Sequence, residues 1–312
     1  MRTPWLIAAV VCTLLATSCG NHRKSADWRT SDEVHIAVDQ TFQDIMEDEL
    51  QTFARIHVEA EPRPVYVSED SALWLLLNDS VRSALVTRAL TDQERLIVES
   101  HRLSVKQALV AYDAFALIVN KANSDTLISV DELRDIVSGR ITRWEQLKCG
   151  TRHGELKLVF DQSGSSTVRY MRDSLLLGGE LQGNIYAQGG NLDVIETVKQ
   201  DPEVIGVVGT NWLKARGDSA LTSFDNLDVK VLKVTRKYDE DPIGWRPYQY
   251  RIMTGDYPLV RSVYLICTDP FRKSKTTTFF YFLKGDAGQR IICNDSQLLP
   301  RMQVQFRSVT VQ

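Results

Sequence analysis

Residues 156–175 read LKLVFDQSGSSTVRYMRDSL and lead from a strand pattern into a helix pattern through a polar turn. The apolar run Leu156–Phe160 is typical of a short buried strand, and three apolar residues then recur at helical spacing: Val168, Met171 and Leu175. The hydroxyl side chains of Ser165–Thr167 fall where that helix begins. Free backbone N–H groups and the helix dipole favour an oxyanion there, although serine and threonine are also ordinary helix caps. From this turn alone, the hydroxyl side chains are consistent both with an anion-binding site and with ordinary capping of the helix.

Strand and helix patterns alternate along most of the chain. Short apolar runs predict strands at Val34–Val38, Val65–Val67, Ala84–Thr87, Ala114–Val119, Val204–Val208 and Val263–Cys267. Thr91–Glu94 and Ser129–Glu132 have the capping-box pattern of a helix start. A further helix is predicted from about Thr277 to Leu283, with a continuation near Gly288. This alternation predicts an α/β fold with mostly parallel sheets covered by helices.

The loops that follow the predicted strands are rich in hydrogen-bond donors. Ligands of open α/β sheets bind beyond the carboxyl ends of the strands, in the loops that lead into helices. Four such loops are predicted here: Asp39–Phe42, Ser68–Ser71, Thr87–Leu90 and Ser163–Thr167. Three of the four offer hydroxyl or amide donors at a helix start, and this repetition favours an anion site over unrelated caps.

The N-terminus has the pattern of a bacterial secretion signal. Arg2 begins a short charged region, the apolar run Trp5–Ala16 is too short to span a bilayer, and small residues lead into Cys19. The pattern resembles a lipoprotein box with its usual leucine displaced by one position; a plain secretory signal with a chance cysteine is the alternative. We therefore predict a signal peptide over residues 1–18, lipidation of Cys19, and a polar tether over residues 19–32.

Composition and motifs argue against several classes of function. The 312 residues carry a formal net charge of −3, so no basic surplus indicates nucleic-acid binding. The sequence contains no P-loop, no G-x-G-x-x-G and no G-x-S-x-G elbow, and its five histidines are scattered. We expect no cofactor, no metal site and no enzymatic activity.

Three cysteines follow the predicted lipidation site: Cys149, Cys267 and Cys293. Their number is odd and they lack the paired spacing of a zinc site. One Cys267–Cys293 disulfide stays open as an alternative to free thiols, which we favour.

Several segments, taken in order, resemble the substrate-binding lipoproteins of phosphate ABC importers, particularly the branch of Bacteroidetes-like bacteria. They are Asp113–Asn120 (DAFALIVN), Ile136–Trp144 (IVSGRITRW), Ser165–Thr167, Val204–Val208, Tyr257–Leu259, Phe282–Leu283 and Gly288–Ile292. The resemblance implies a two-lobed, type II periplasmic-binding-protein-like fold, with two α/β lobes joined by two crossing hinge segments. Lobe 1 would comprise residues 33–112 and 256–312, and lobe 2 residues 113–255.

The resemblance also implies which residues bind the anion, since family members hold phosphate with hydroxyls and amides at helix starts. Thr41-Phe42 matches the Thr-Phe of the family's first loop, and Ser68 matches the serine of its second loop. Ser165-Ser166-Thr167 matches the family's Ser-Gly-Thr.

Two positions depart from the family pattern. Many members have an aspartate in the third loop and an arginine four residues before Ser-Gly-Thr, where this chain has Thr87-Arg88 and Asp161. We expect an exchange in which Arg88 supplies the positive charge and Asp161 accepts the proton that phosphate carries and sulfate lacks. The alternative is that both are surface charges, or that they pair with each other when no anion is bound.

The expected function is a lipid-anchored, monomeric receptor on the periplasmic side of a bacterial membrane. It would close on one inorganic phosphate ion and present it to an ABC permease. Another oxyanion, such as sulfate, molybdate or tungstate, is an alternative ligand. A structural or partner-binding lipoprotein is an alternative role, and an esterase or phosphatase is least favoured.

Overall fold

The computed structural model describes residues 32–213, 223–238 and 242–302. The predicted signal peptide, Cys19 and all of the tether except Asp32 lie outside these residues. Within the described ranges, no helix has both the length and the apolar character needed to cross a membrane.

Strands and helices alternate, in agreement with the sequence pattern. The strands are β1 (Glu33–Asp39), β2 (Glu61–Val67), β3 (Ser83–Val86), β4 (Lys106–Asn120), β5 (Leu127–Ser129), β6 (Lys157–Phe160), β7 (Ile185–Ala187), β8 (Val204–Gly209), β9 (Val229–Val231), β10 (Lys233–Thr235), β11 (Val260–Cys267) and β12 (Leu299–Pro300). The helices are α1 (Gln43–Ile56), α2 (Glu69–Leu77), α3 (Asp92–Ser100), α4 (Val130–Val137), α5 (Ser166–Tyr170), α6 (Asn191–Gln200), α7 (Gln249–Met253), α8 (Lys275–Lys284) and α9 (Asp286–Asp295). Short 3-10 turns cover Gln40–Phe42, Trp144–Gln146 and Thr210–Leu213, and a π-helical turn, Met171–Leu175, continues α5.

One curled sheet runs through both lobes in the order β2-β1-β3-β11-β4-β8-β6-β7. The strands β2-β1-β3 are parallel in the first lobe, and β7-β6-β8 are parallel in the second. Between them, β11 and β4 run antiparallel to their neighbours. Strands β9 and β12 also pair with β4, while β10 and β5 form a separate parallel pair.

Strand β4 is shared by the two lobes. Its N-terminal part pairs with β11, where Arg261 lies opposite Asp113, and its C-terminal part pairs with β8. The sequence pattern predicted only Ala114–Val119 of this strand, because polar and charged side chains interrupt the apolar ones before it. The segment Asp113–Asn120, quoted above for the family resemblance, is thus the C-terminal part of β4, and its residues Phe115–Val119 pair with β8.

Helix α1 shows how the first lobe is packed. Its apolar residues recur at helical spacing and form one fully buried face, Ile45, Met46, Leu50 and Phe53, which the preceding Phe42 extends. The ring of Phe53 makes edge contacts with Phe279 and Phe282 of α8, at centroid distances of 5.2 and 5.3 Å. Each such side chain stabilises the fold by about 1.5–3 kcal/mol relative to an exposed one.

The same helix buries a carboxyl group without a hydrogen-bond partner. Glu49 is fully buried in an apolar cavity whose walls include Met46, Val263 and Ile292, and neither of its carboxyl oxygens has a partner among the described residues. Burial raises the pKa of Glu49 well above its usual range, and the negative charges of Asp295 and Asp48 raise it further. Burial and these neighbouring charges therefore both favour the neutral form of the Glu49 carboxyl.

Helix starts follow the predicted caps. Both hydrogen bonds of the capping box are present at Thr91–Glu94 and at Ser129–Glu132. The predicted continuation near Gly288 is a separate helix, since α8 ends before Gly285 and α9 begins after it. A Cβ atom at Gly288 would come within 2.6 Å of Leu283 Cα, so only glycine permits the close approach of the two helices.

The three cysteines of the described residues are free thiols rather than part of a Cys267–Cys293 disulfide, but the expectation that the thiols are buried holds fully for Cys267 alone. Cys267 is buried, Cys293 is partly exposed and Cys149 is exposed.

Candidate anion-binding site

The loops after β1, β2 and β6 meet in one cleft between the lobes. Its lining is polar and comprises Asp39, Gln40, Ser68, Asp161, Gln162, Ser165, Gly190 and Asn191. These residues converge because each follows the carboxyl end of a strand or lies at the start of a helix. Three of the eight sequence-predicted site residues, Ser68, Asp161 and Ser165, are among them.

Two further predicted residues carry buried hydroxyls without partners. Thr41 is 1% exposed and Thr167 is fully buried, yet Oγ1 of each lacks a hydrogen-bond partner within the described part of the chain. An unsatisfied buried hydroxyl costs about 1–3 kcal/mol, so proteins keep few of them. Thr41 lies in the 3-10 turn after β1, next to Gln40 of the lining, and Thr167 lies in the first turn of α5, two residues after Ser165 of the lining. Both hydroxyls are free to donate to an oxyanion.

The serines before Thr167 differ in what they contact. Ser165 caps α5 by accepting the N–H of Val168 at 3.3 Å, and its hydroxyl donates to Asp161 at 2.5 Å. Ser166 instead reaches across the cleft, where its hydroxyl donates to a carboxylate oxygen of Asp39. The turn therefore serves as a cap and as a polar surface of the cleft.

Ser68 has a similar double role on the first lobe. Its Oγ accepts the N–H of Ser71 at 3.4 Å as the cap of α2. A Cβ atom built on Gly164, in the opposite lobe, would lie 3.6 Å from Ser68 Oγ. The two lobes thus come close to van der Waals contact at this edge of the cleft, and an added Cβ would still fit.

Arg261 is the cation that the structure brings to Ser166. Its Nη1 donates to Ser166 Oγ at 2.6 Å, while Nε and Nη2 lie 2.9 and 2.8 Å from Asp113 Oδ2. Both members of this ion pair are buried, and the guanidinium lies 4.3 Å from the centre of the Phe115 ring. Arg261 was not among the predicted site residues, although a lone arginine in the apolar run of a predicted strand region was a signal that could have found it.

Asp39 is the second residue that the sequence analysis missed. It ends β1 with 1% exposure and accepts the N–H of Thr41 at 3.0 Å in addition to the Ser166 hydroxyl. Burial raises the pKa of Asp39 to about 6; the charge of Glu69 adds to this rise, while Arg261 and the two hydrogen bonds oppose it.

The structure does not bring Arg88 and Asp161 together. Arg88 makes two 2.7 Å bonds to Glu94, the carboxylate of the capping box of α3, and is absent from the lining of the cleft. Those bonds are the main cause that lowers the pKa of Glu94 to about 2. Asp161 does line the cleft, but its partners are Ser165 and Asn191 of its own lobe.

The third predicted loop, Thr87–Leu90, takes part in a contact between the lobes through Thr87. The N–H and the hydroxyl of Thr87 donate to Glu69 at 2.6 and 2.7 Å, and Arg169 of α5 donates to both Glu69 and Thr87, the latter at 2.7 Å. Burial raises the pKa of Glu69, but Arg169 and Thr87 outweigh it and the net pKa is lowered. The group formed by Glu69, Thr87 and Arg169 is called the clasp below.

The first loop is also held from the second lobe. The indole Nε1 of Trp212 donates to the carbonyl of Thr41 at 2.9 Å, and Phe42 is buried with its ring 5.2 Å from the guanidinium of Arg261. Trp212 is thus partly exposed and contacts this loop, whereas Trp144 is fully buried in the core.

A family model described as the PBP superfamily domain matches residues 24–286. The chain belongs to the PBP superfamily. The phosphate-binding protein PstS of Borreliella burgdorferi is 22% identical over 293 residues, which cover 91% of this chain and 95% of that protein.

Similarity to solved structures confirms the predicted periplasmic-binding-protein-like fold. A proposed phosphate ABC transporter substrate-binding protein of Clostridium perfringens, solved with bound phosphate, has a TM-score of 0.70 at 18% identity; the match covers 86% of this chain and all of that one. An ABC-type phosphate transport receptor of Vibrio cholerae has a TM-score of 0.62 at 20% identity, over 85% of this chain and 99% of that one.

The cleft of this PBP-superfamily chain has more carboxylates than cations. Asp113 is paired with Arg261, and Glu69 with Arg169. Asp39 and Asp161 then remain as carboxyls on the lining, and neither forms an ion pair of its own with an arginine or lysine among the described residues. An anion in this cleft would therefore meet hydroxyls, amides and Arg261, but also two acceptors that repel an oxygen without a proton.

Proposed function

We propose that the protein is a substrate-binding protein that captures inorganic phosphate between its two lobes and delivers it to an ABC importer. The observation that carries this proposal is the pair of unpartnered, buried hydroxyls of Thr41 and Thr167, which lie one and two residues along the chain from the lining residues Gln40 and Ser165 of the polar cleft. The names of the relatives support the choice of ligand, since they are phosphate-binding proteins and receptors of phosphate transport.

The ligand set that we propose differs in part from the expected one. Thr41, the backbone at Phe42, Ser68, Ser165, Ser166 and Thr167 are retained as donors around the anion. Arg261 replaces Arg88 as the cation, because its Nη1 already contacts Ser166 whereas Arg88 is bound to Glu94. Asp161 is retained as part of the polar lining.

The remaining expectations are proposals of the same kind. We propose a monomer anchored by lipid on Cys19 to the periplasmic side of a bacterial membrane, with an ABC permease as its partner. We place lobe 1 at residues 33–112 and 256–312 and lobe 2 at residues 113–255, joined at the crossing of β4. The role is binding rather than catalysis, in keeping with the relatives named above.

A thermal-shift titration tests the choice of ligand. The chain is unfolded and refolded without phosphate, then melted with increasing phosphate or sulfate at pH 8. Phosphate at 100 times its dissociation constant should stabilise the fold by about 2.7 kcal/mol, and equimolar sulfate should have little effect. Thr167→Val should weaken the response to phosphate, whereas Thr197→Val, on an exposed surface of α6, should not. Equal responses to the two anions, or no response to either, would refute the proposal.

A further inference from the structure

The cavity that buries Glu49 is walled in part by the two strands that join the lobes. Ala111 of β4 and Val263 of β11 lie opposite each other in the sheet, and both line this cavity. Two positions along the same strands, Asp113 and Arg261 form the buried ion pair beside the cleft. Side chains two positions apart on a strand point to the same face of the sheet. The walls of the Glu49 cavity are therefore direct neighbours of the arginine of the cleft.

A second wall of the cavity leads to the first loop of the cleft. Glu49 lies on α1, which follows the 3-10 turn Gln40–Phe42 without a break. Thr41 comes eight positions before Glu49, so about 12 Å of turn and helix separates its unpartnered hydroxyl from the buried carboxyl. The ring of Phe42, in the same turn, is 5.2 Å from the guanidinium of Arg261. A shift of α1 would therefore move two of the groups placed around the anion.

A third wall of the cavity is bonded to the other lobe. Leu298, which follows α9, lines the cavity. The side-chain amide of Gln249, on α7 of the proposed second lobe, donates to the carbonyl of Leu298 at 2.8 Å and to that of Ser296 at 3.0 Å. These carbonyls follow the last turn of α9, where no helical N–H can bond them. The packing around Glu49 therefore also supports the contact between α9 and α7.

None of the described walls compensates a negative charge at Glu49. The walls outside α1 are apolar and comprise Leu85, Val110, Ala111, Val263, Leu283, Ile292 and Leu298. The charged groups that face Glu49 from the described elements are Asp48 on its own helix and Asp295 on α9, and both are acidic. The cavity measures about 10 Å³, which is room for about one water molecule. A carboxylate here would have neither a cation nor a hydration shell, so the packed arrangement disfavours it strongly.

We propose that Glu49 is a positioning residue that couples the loss of one proton to the geometry of the cleft. In the packed form, the neutral carboxyl stays in the cavity while α1 and α9 pack on β4 and β11. When the proton leaves to solvent, the carboxylate is hydrated by a movement of α1 away from α9, which we call the loosened form. This movement displaces Thr41 and the surroundings of Arg261, so anion binding weakens. Only this last step rests on the proposed function.

Rising pH favours the loosened form. Burial, followed by the charges of Asp295 and Asp48, raises the pKa of Glu49 in the packed form. The pKa returns towards its usual value when water reaches the carboxyl. The ratio of loosened to packed form should therefore increase up to about tenfold per pH unit between these two pKa values. Phosphate affinity should stay level while the packed form dominates, and then fall by up to about tenfold per pH unit.

Hydrogen exchange of the whole chain, without any anion, tests the loosening from pH 6 to 9.5. Wild type and Glu49→Gln are compared at each pH, so the intrinsic pH dependence of exchange cancels; glutamine keeps the size of the side chain and cannot ionise. We expect peptides of α1 and α9 to exchange equally in both proteins at pH 6, and about tenfold or more faster in the wild type at pH 9.5. Peptides of α6, in the second lobe, should exchange equally in both at every pH.

Calorimetric titration with inorganic phosphate over the same pH range tests the effect on the cleft. The ratio of the two affinities at each pH removes the titration of phosphate itself and of the carboxyls in the cleft. Wild type and Glu49→Gln should bind phosphate equally at pH 6, and the wild type about tenfold or more weakly at pH 9.5. Glu49→Met, a second variant that cannot ionise, should match Glu49→Gln. Glu99→Gln, which removes an exposed carboxyl of α3, should match the wild type.

The results separate the loosening, its coupling to the cleft and the proposed function. Equal exchange of α1 and α9 in wild type and Glu49→Gln at every pH would refute the inference. It would also be refuted if α6 exchanged faster to the same extent, since the whole fold would then be opening. Faster exchange confined to α1 and α9, with equal phosphate affinities at every pH, would refute the coupling to the cleft. If no variant binds phosphate at any pH, the proposed function is refuted, whereas the exchange result still decides whether Glu49 loosens α1.

Discussion

The clasp of Glu69, Thr87 and Arg169 joins the lobes beside the cleft, and its loss should weaken phosphate binding by disfavouring closure. We consider Arg169→Met, which keeps the aliphatic stem and removes the guanidinium. The variant loses the bonds of Arg169 to Glu69 and to Thr87 Oγ1, the latter 2.7 Å long. Because these bonds join opposite lobes, the loss falls on the closed form, while the open form can hydrate Glu69.

The solvent exposure of Arg169 and Glu69 determines how much free energy their ion pair contributes to the closed form. Breaking a fully buried ion pair costs about 3–5 kcal/mol, and a hydrogen bond to a charged group contributes about 1.5–3 kcal/mol. The side chain of Glu69 is 1% exposed but that of Arg169 is 18% exposed, so the lower range applies. A closed state weakened by about 1.5–3 kcal/mol lowers phosphate affinity about 10- to 150-fold.

Calorimetry gives the affinity, and small-angle X-ray scattering with and without phosphate reports closure. Arg172→Met is the matched control, since Arg172 is on the same segment but is exposed and paired with its neighbour Asp173. Adding Glu69→Gln to Arg169→Met tests whether the two residues act through one contact, because the combined loss should then be smaller than the sum. Affinities for Arg169→Met and Arg172→Met that agree within threefold would contradict the reasoning.

Three further predictions concern single groups. The pKa of Glu49 is raised in the folded state, so the free energy of unfolding should fall by up to about 1.4 kcal/mol per pH unit as the pH rises above about 4.3. Urea unfolding of Glu49→Gln at several pH values should show a weaker dependence of this free energy on pH. The same dependence in the variant and the wild type would exclude this role for Glu49. Arg88→Ala should lower the free energy of unfolding by about 1 kcal/mol through the loss of its bond to Glu94, while phosphate affinity stays constant; a loss of affinity would return Arg88 to the site. Thr41→Val should leave unfolding unchanged or stabilise the free protein, because the hydroxyl is unpartnered, yet weaken phosphate binding about tenfold or more by calorimetry; equal affinity would remove Thr41 from the ligand set.

The fold was predictable because its determinants are local. The apolar face of α1 and the capping boxes at Thr91 and Ser129 depend on residues within two turns of each other, and they formed as the patterns indicate. The loops around the cleft were predictable for a related reason, since strand-to-helix connections of a parallel sheet all emerge at the same edge.

The charges of the site were not predictable in the same way. Arg261 contacts Asp113 across 148 positions of sequence, and only the pairing of β11 with β4 brings them together. Arg88 was predicted to bind the anion because Glu94 was considered only as a helix cap. The carboxylate of Glu94 in fact accepts both the N–H of Thr91, as a cap, and the guanidinium of Arg88. Asp39 was counted as part of a loop, and nothing in its neighbours along the chain indicates the contact with Ser166.

The pairing of Arg261 with Asp113 has a consequence for how quickly an anion is captured. The two residues lie opposite each other on the adjacent strands β11 and β4, where the proposed lobes join. Because the hydrogen bonds between these strands hold the pair, we expect it to stay formed when the lobes are apart, so that an incoming ion meets Arg261 already in position before the clasp forms. We expect the association rate to depend on ionic strength through Arg261, and the residence time to depend on the clasp.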